Sequence, residues 1–252
     1  ASGHRRVPIS FYEHLNIPCP PLAIQKKVVA ECGKVDEEYN TSRMTVDEYR
    51  TKIAKVFADL EVIIAQNGGG YKKMIDICFV NADSIDPSAY PDKEFTYVDI
   101  DAVRNGEGTF VTDKKILGSN APSRARRLAR SNSTLVSTVR PNLKGFAYVE
   151  NEIKDAVYST GFAVLKSKDT EVLLDKMIYY MFMYSNDLME QMIAAMPKGS
   201  YPSINKDDIE NFIIPIPPID EQKKIVAEVV NYESKITKAK AVMDSAPARQ
   251  LS

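Results

Sequence analysis

Histidine is almost missing from this 252-residue chain: His4 and His14 are the only two, both near its start. No Ser–His or Cys–His arrangement can be assembled in the middle of the sequence, which excludes the usual activated nucleophiles there. Cysteine is equally scarce. Cys19, Cys32 and Cys78 are odd in number and widely spaced, with no CxxC pair, so neither a zinc site nor a disulfide framework is indicated. HExxH, a Walker loop and a glycine-rich dinucleotide turn are missing too, and no metal or cofactor is expected. The Asn/Asp-Pro-Pro-aromatic box of amino-methyltransferases is lacking as well, since Pro217-Pro218 lies between Ile216 and Ile219. Acidic residues abound, but Asp83, Asp86, Asp92, Asp99 and Asp101 fall in turns and strand ends and read as solvated loop residues. The chain is expected not to be an enzyme.

Long apolar runs are also lacking. None approaches the ~18 residues of a membrane span, and no signal-like segment opens the sequence, so a reducing cytoplasm is expected and no membrane partner. Hydrophobic content of 44%, charged content of 27% and a net charge of −1 are ordinary for a globular chain. The length allows one large or two small domains.

What the sequence does have is a stretch written twice. Ile17–Cys32 reads IPCPPLAIQKKVVAEC and Ile214–Val229 reads IPIPPIDEQKKIVAEV. One constant offset pairs Ile17 with Ile214, Pro20 with Pro217, Gln25 with Gln222 and Glu31 with Glu228. A repeat at so long an interval implies a whole domain plus its connector as the repeating unit. The prolines fix φ and remove donors, giving a stiff extended entry. Helix formers follow, with Asp220 and Glu221 in a first turn where negative charge suits the helix dipole. Apolar residues then recur in steps of four and three: Ile225, Val229, Tyr232, Ile236, Ala239 and Met243. The first copy continues through Val28, Cys32, Val35, Tyr39, Ser42, Val46, Tyr49, Ile53, Val56, Leu60 and Ile63, with Ser42 the one polar member. These are coiled-coil seams, and the simplest closure packs the two helices antiparallel.

The first helix is predicted from about Leu22 to Gln66, roughly 45 residues or about 65–70 Å if unbroken. A break is allowed at Asn40-Thr41-Ser42, where Thr45 and Glu48 form a capping-box pattern. Gly68-Gly69-Gly70 ends it as a helix stop and hinge; with no helix pattern after it, it is not a phosphate loop. From Tyr71 to Leu165 the period changes, and Ile75–Val80, Phe95–Ile100, Leu135–Val139, Phe146–Val149 and Gly161–Leu165 read as strands. Thr170–Met196 reads as a helix whose Met and Tyr stripe is adaptable core. Asn205 is the expected N-cap of a turn leading into a short apolar strand. Ala1–Asn16 aligns loosely with Lys198–Ile213 and reads as the tail of a preceding domain, so the chain is expected to be a piece of a larger protein.

One segment stands apart in charge. Lys114–Val149 holds Lys114, Lys115, Arg124, Arg126, Arg127, Arg130, Arg140 and Lys144 and no acid at all. Such a local field attracts phosphates, and arginine suits forked contacts to phosphate or guanine. Ser119, Asn120, Ser123, Ser131, Asn132, Ser133 and Asn142 add short hydrogen-bonding side chains.

The Pro-x-Pro-Pro-hydrophobic-x-x-Gln-Lys-Lys-Ile/Val-Val stretch and its recurrence resemble the specificity subunits of type I restriction–modification systems. Leu117–Arg127, Thr138–Gly145, Ser159–Phe162 and the Lys198–Pro202 turn are similar to one class of their recognition domains. The resemblance implies an α+β, mixed α/β target recognition domain flanked by long coiled-coil helices. It divides the chain into a tail (1–16), a spacer helix (17–67), a recognition domain (68–218) and a second spacer helix (219–252). It implies contacts to double-stranded DNA from loops bearing Ser123, Arg124, Arg126, Arg127, Arg140, Asn142, Lys144, Lys198, Ser200 and Tyr201, with Arg130 read as packing at the domain surface. Val28, Val35, Ile53, Leu60, Ile225, Val229 and Ile236 would form the helix-packing seam. Implied partners are DNA methyltransferase (modification) subunits, which use S-adenosylmethionine to modify adenine, and a restriction subunit. With one domain where the family usually has two, a homodimer of half-subunits is a further expectation. Two other readings stay open: the C-terminal specificity region of a fused methyltransferase–nuclease, and a coiled-coil adaptor that binds no DNA.

Overall fold

The structure is a computed structural model that describes residues 9–197 and 202–250, without the side chains of residues 10 and 247–250. It is a mixed helix and strand fold. After a short helix α1 (Ile9–Glu13) and the extended proline segment, α2 runs unbroken from Leu22 to Ala58. The break allowed at Asn40–Ser42 does not occur. The Thr45 hydroxyl donates back to the Thr41 carbonyl at 2.9 Å, a bond made inside a helix, so Thr45 does not cap a new one. The interruption comes at Asp59, and α3 (Leu60–Asn67) follows. The N–H of Asp59 still reaches Lys55 and that of Ile63 reaches Asp59, so the axis steps without ending. Gly68 closes it at φ 87°, its N–H on the Ile64 carbonyl at 2.9 Å.

Two compact units emerge. One holds the described residues up to 47 with those from 235 onward; the other spans 48–234. That the early part of one long helix groups with the late part of the other is the antiparallel arrangement. In the smaller unit Val46, Ala239 and Ala246 are buried, Val35 and Ile236 are half-buried, and Val28 is 51% exposed.

The larger unit begins with β1 (Gly70–Lys73), a single helical turn α4 (Met74–Ile77) and β2 (Cys78–Val80). The expected strand over Ile75–Val80 is therefore only half right. Met74 and Ile77 are both buried three residues apart, which is helix spacing inside an apolar run. Next come β3 (Glu94–Val98), β4 (Lys115–Leu117), β5 (Ala125–Arg127), β6 (Ser133–Ser137), β7 (Phe146–Val149), β8 (Ala156–Ser159) and β9 (Phe162–Ser167). The helices α5 (Asp175–Tyr184), α6 (Asn186–Ala195) and α7 (Lys206–Asn211) follow, then β10 (Ile213–Ile216) and α8 (Ile219–Gln250). Thr170–Met196 is thus two helices. Ser185 splits them, its side chain accepting the Leu188 N–H to cap α6. Asn205 caps α7 in a full capping box with Asp208.

The strands form an antiparallel sheet β2-β9-β6-β7, a mixed sheet β4-β3-β8-β5 in which β3 and β8 are parallel, and the pair β1-β10. The two four-stranded sheets share one core: Val98 and Tyr158 of the mixed sheet cluster with Leu135, Val149 and Phe162 of the other. The outer face of the antiparallel sheet is covered by α5, with Phe182 against Phe146 at 5.8 Å between ring centroids. Met177, Tyr179, Tyr180, Met181 and Met183 of α5 are buried as core, and Tyr184 is half-buried. On the long helices Ile53, Leu60, Ile225 and Val229 are buried, the Tyr49 and Tyr232 rings meet at 5.4 Å, and Tyr180 and Tyr184 both donate to Glu233, at 2.8 and 3.0 Å. Among the described residues no helix is long and apolar enough to cross a membrane.

The repeated stretch folds the same way twice. The Gln25 amide donates to the Pro20 carbonyl at 2.7 Å, and the Gln222 amide to the Pro217 carbonyl at 2.8 Å. Beyond this the copies differ. Gln222 is fully buried, donates also to the Val172 carbonyl at 2.9 Å, and accepts the Leu174 N–H at 3.0 Å. It ties the start of α8 to the turn before α5. Among the described residues Gln25 has only the Cys19 sulfur in addition.

Gly118 is held by crowding. A Cβ on Gly118 would overlap the carbonyl oxygens of Tyr90 and Pro87, both backbone. Gly118→Ala is expected to cost about 2–4 kcal/mol, because backbone must move to admit the methyl group. The drop in denaturation midpoint against Gly70→Ala, where no atom is near and φ is not left-handed, reads it out.

Candidate nucleic-acid interface

Three turns of the larger unit are joined edge to edge by backbone hydrogen bonds. The Thr160 N–H donates to the Arg124 carbonyl at 2.7 Å. The N–H and hydroxyl of Thr138 both donate to the Gly161 carbonyl, at 2.8 and 3.0 Å. The Ile204 N–H then donates to Thr138 and the Arg140 N–H to Pro202, both at 2.9 Å. The result is one continuous rim: the turn entering β5, the β8–β9 turn, the β6–β7 turn and the segment from 202. Ser123, Arg124, Arg140 and Asn142 lie on it, all exposed. Lys198, Ser200 and Tyr201 lie outside the described residues.

The charge picture differs from that of the bare segment. The acids Asp83, Asp86 and Asp99, read from sequence as solvated loop residues, come from connecting segments outside it and neutralise part of it. Lys114 pairs with Asp99 at 2.5 Å and Arg126 with Asp86 at 2.8 Å. Arg130 is held by Asp83 at 3.1 Å and Glu152 at 2.9 Å. Two hydrogen bonds from Ser88 and the Arg126 guanidinium keep the Asp86 carboxyl below its ordinary range, so it is anionic at neutral pH. Arg126 is also the extra residue where β5 slips register against β8, between the pairs Ala125/Ser159 and Arg127/Tyr158. Arg127 is half-buried, and desolvation alone pulls its pKa down. Lys144 is half-buried too, its ammonium on the Met183 carbonyl at 2.7 Å. Of the arginines expected to face a ligand, Arg124, Arg127 and Arg140 form no ion pair among the described residues, and of these only Arg124 and Arg140 are exposed. The rim concentrates its uncompensated positive charge at these two.

Sequence reasoning missed the residues that make the rim continuous, Thr138 and Thr160, as hydrogen-bonding members. It also missed the neutralising acids. Their signal is spatial: Asp86 and Arg126 meet only because residues 84–85 run beside β5, with Ile85 N–H on the Arg126 carbonyl at 2.9 Å. No group of three or more His, Cys, Asp or Glu suited to a metal ion occurs among the described residues.

The matching family model decides what kind of chain carries this rim: residues 92–242 match the type I restriction modification DNA specificity domain. The chain belongs to that family. Its matched span runs from β3 into α8 and includes the whole rim. Among curated proteins it is similar to the type I restriction enzyme HindI specificity subunit of Haemophilus influenzae, 27% identical over 117 residues, covering 46% of this chain and 25% of that protein. Among solved structures it is similar to the HsdS subunit of Thermoanaerobacter tengcongensis, 32% identical with a TM-score of 0.60, covering 68% of this chain and 43% of the other. The type I restriction–modification S subunit of M. genitalium shares the fold over 97% of this chain and 63% of its own, at 15% identity and a TM-score of 0.58. The chain spans a quarter of the curated relative's length and under half of the Thermoanaerobacter subunit.

Proposed function

We propose that this chain is a sequence-reading module of a type I restriction–modification complex, binding double-stranded DNA across the rim that carries Arg124 and Arg140. One observation supports this most: in a DNA specificity domain, the two exposed arginines of the acid-free segment that form no ion pair among the described residues, Arg124 and Arg140, lie on one hydrogen-bonded edge. Catalysis belongs to partners, the adenine-modifying methyltransferase subunits and the restriction subunit, docked on the helices and the domain. Ser123, Asn142 and the Lys198–Tyr201 segment complete the DNA-facing set, while Arg126, Arg127 and Lys144 support it from behind. The boundaries follow the same reading, with spacer helices at 17–67 and 219–252 enclosing a recognition domain at 68–218. Leu22, Val28 and Val29 of the first repeat copy, more than half exposed, suit pairing with a second recognition module, including a second copy in a homodimer.

Fluorescence anisotropy with a labelled duplex tests the reading. The association constant should fall linearly with salt on a log–log plot, with a slope of about −0.9 per phosphate contacted. A flat salt response, or no binding at low salt, would return the adaptor reading.

The counter-charge makes a further prediction. Asp86→Asn keeps the acceptor for Ser88 but releases Arg126, so non-specific duplex affinity should rise roughly two- to tenfold at low salt and converge with wild type at high salt. The same titration checks it.

A further inference from the structure

We propose that the Arg140–Lys144 turn is the base-reading element of the rim, with Arg140 addressing a guanine and Asn142 an adenine in the major groove. This rests on the DNA-binding reading above and assigns roles within it. The turn is flanked by two non-glycine residues in the left-handed region, Arg140 at φ 47° and Lys144 at φ 54°. That conformation is costly for residues with a Cβ and persists only where surroundings enforce it.

Here the enforcement is visible. Leu143 N–H bonds to the Arg140 carbonyl and Lys144 N–H to that of Pro141, each at 2.9 Å. Gly106 N–H bonds to the Lys144 carbonyl at 2.9 Å, and the Lys144 ammonium is anchored on Met183. Pro141 is buried beneath. The positive charge of Lys144 is therefore spent on holding the turn, while Arg140, Asn142 and Leu143 are presented outward.

Phosphates accept cations from many directions, whereas a base edge demands donors and acceptors at fixed positions. A rigid turn is the element suited to that demand. The guanidinium fork matches guanine O6 and N7, the carboxamide matches adenine N6 and N7, and an exposed Leu143 can meet a thymine methyl. Arg124, beside Ser123, suits phosphate positioning.

The test is selection of a randomised duplex library on the purified 252-residue chain, followed by titration of the best and a scrambled duplex. Wild type should enrich a motif. Arg140→Lys, which keeps the charge and loses the fork, should make one guanine position degenerate, with affinity for the best site down roughly 5- to 150-fold. Scrambled-duplex affinity should hold within about twofold, since the charge remains. Asn142→Ala should release an adenine position in the same way. Arg140→Gly, which relieves the left-handed backbone and folds readily, must lose the same guanine. Arg124→Ala should weaken both duplexes alike with the motif intact. An unchanged motif in the Arg140 and Asn142 variants, or a motif altered by Arg124→Ala, would overturn the assignment alone. Failure of wild type to bind any duplex would overturn the DNA reading itself.

Discussion

Gln222→Ala should lower the thermal midpoint by roughly 5–15 °C, while Gln25→Ala, the same change in the same repeated stretch, should move it by about a degree or less. The contrast comes from surroundings, because both amides make the same bond to the proline carbonyl five residues back. Gln222 is fully buried and serves three backbone groups, the carbonyls of Val172 and Pro217 and the Leu174 N–H. Truncation leaves these without partners away from water, at a cost of about 2–4 kcal/mol in total. Removing Gln25 lets water replace it. Differential scanning calorimetry on the two variants measures both, and equal shifts would mean that the buried network is not what fixes α8 to the domain.

Arg124→Glu with Arg140→Glu should reduce duplex affinity on the order of 100-fold at moderate salt and flatten the salt slope by about 1, for the phosphate contact of Arg124, with the rest of the loss coming from the base contact of Arg140. Arg126→Glu should do much less to the slope. Its guanidinium is already committed to Asp86, so it contributes little free charge to the rim. Folding should survive in the double variant, as both side chains are exposed. Anisotropy titrations at several salt concentrations separate the cases. A larger loss from Arg126→Glu than from the double variant would relocate the binding surface to the β5 bulge.

Much of this architecture is legible in the sequence. Features written in local sequence were read correctly: the glycine stop after α3, the Asn205 cap and the strands built on β-branched and aromatic runs. What could not be read was structure that depends on partners distant in the chain. Lys115–Leu117 and Ala125–Arg127 are three-residue strands with little apolar periodicity, and they exist because β3 and β8 offer them edges. The parallel pairing of Thr96 with Ala156 has no local signature at all. The helix break moved from Asn40–Ser42 to Asp59 because a Thr hydroxyl satisfied inside a helix costs little.

The site divides along the same line. That Lys114–Val149 lacks acids was plain in sequence, but its neutralisation by Asp83, Asp86, Asp99 and Glu152 was not. Arg124 and Arg140 keep their charge for a ligand, whereas Arg126 and Arg127 are tied up by an ion pair and by burial.

The most direct measurement is a methylome. The full-length protein would be expressed with its methyltransferase partner, as wild type and with Arg124→Glu plus Arg140→Glu, and N6-methyladenine mapped by single-molecule sequencing. The account predicts a discrete methylated motif with wild type and its loss with the variant, from complexes that assemble equally well. The same motif methylated to the same extent in both would contradict it.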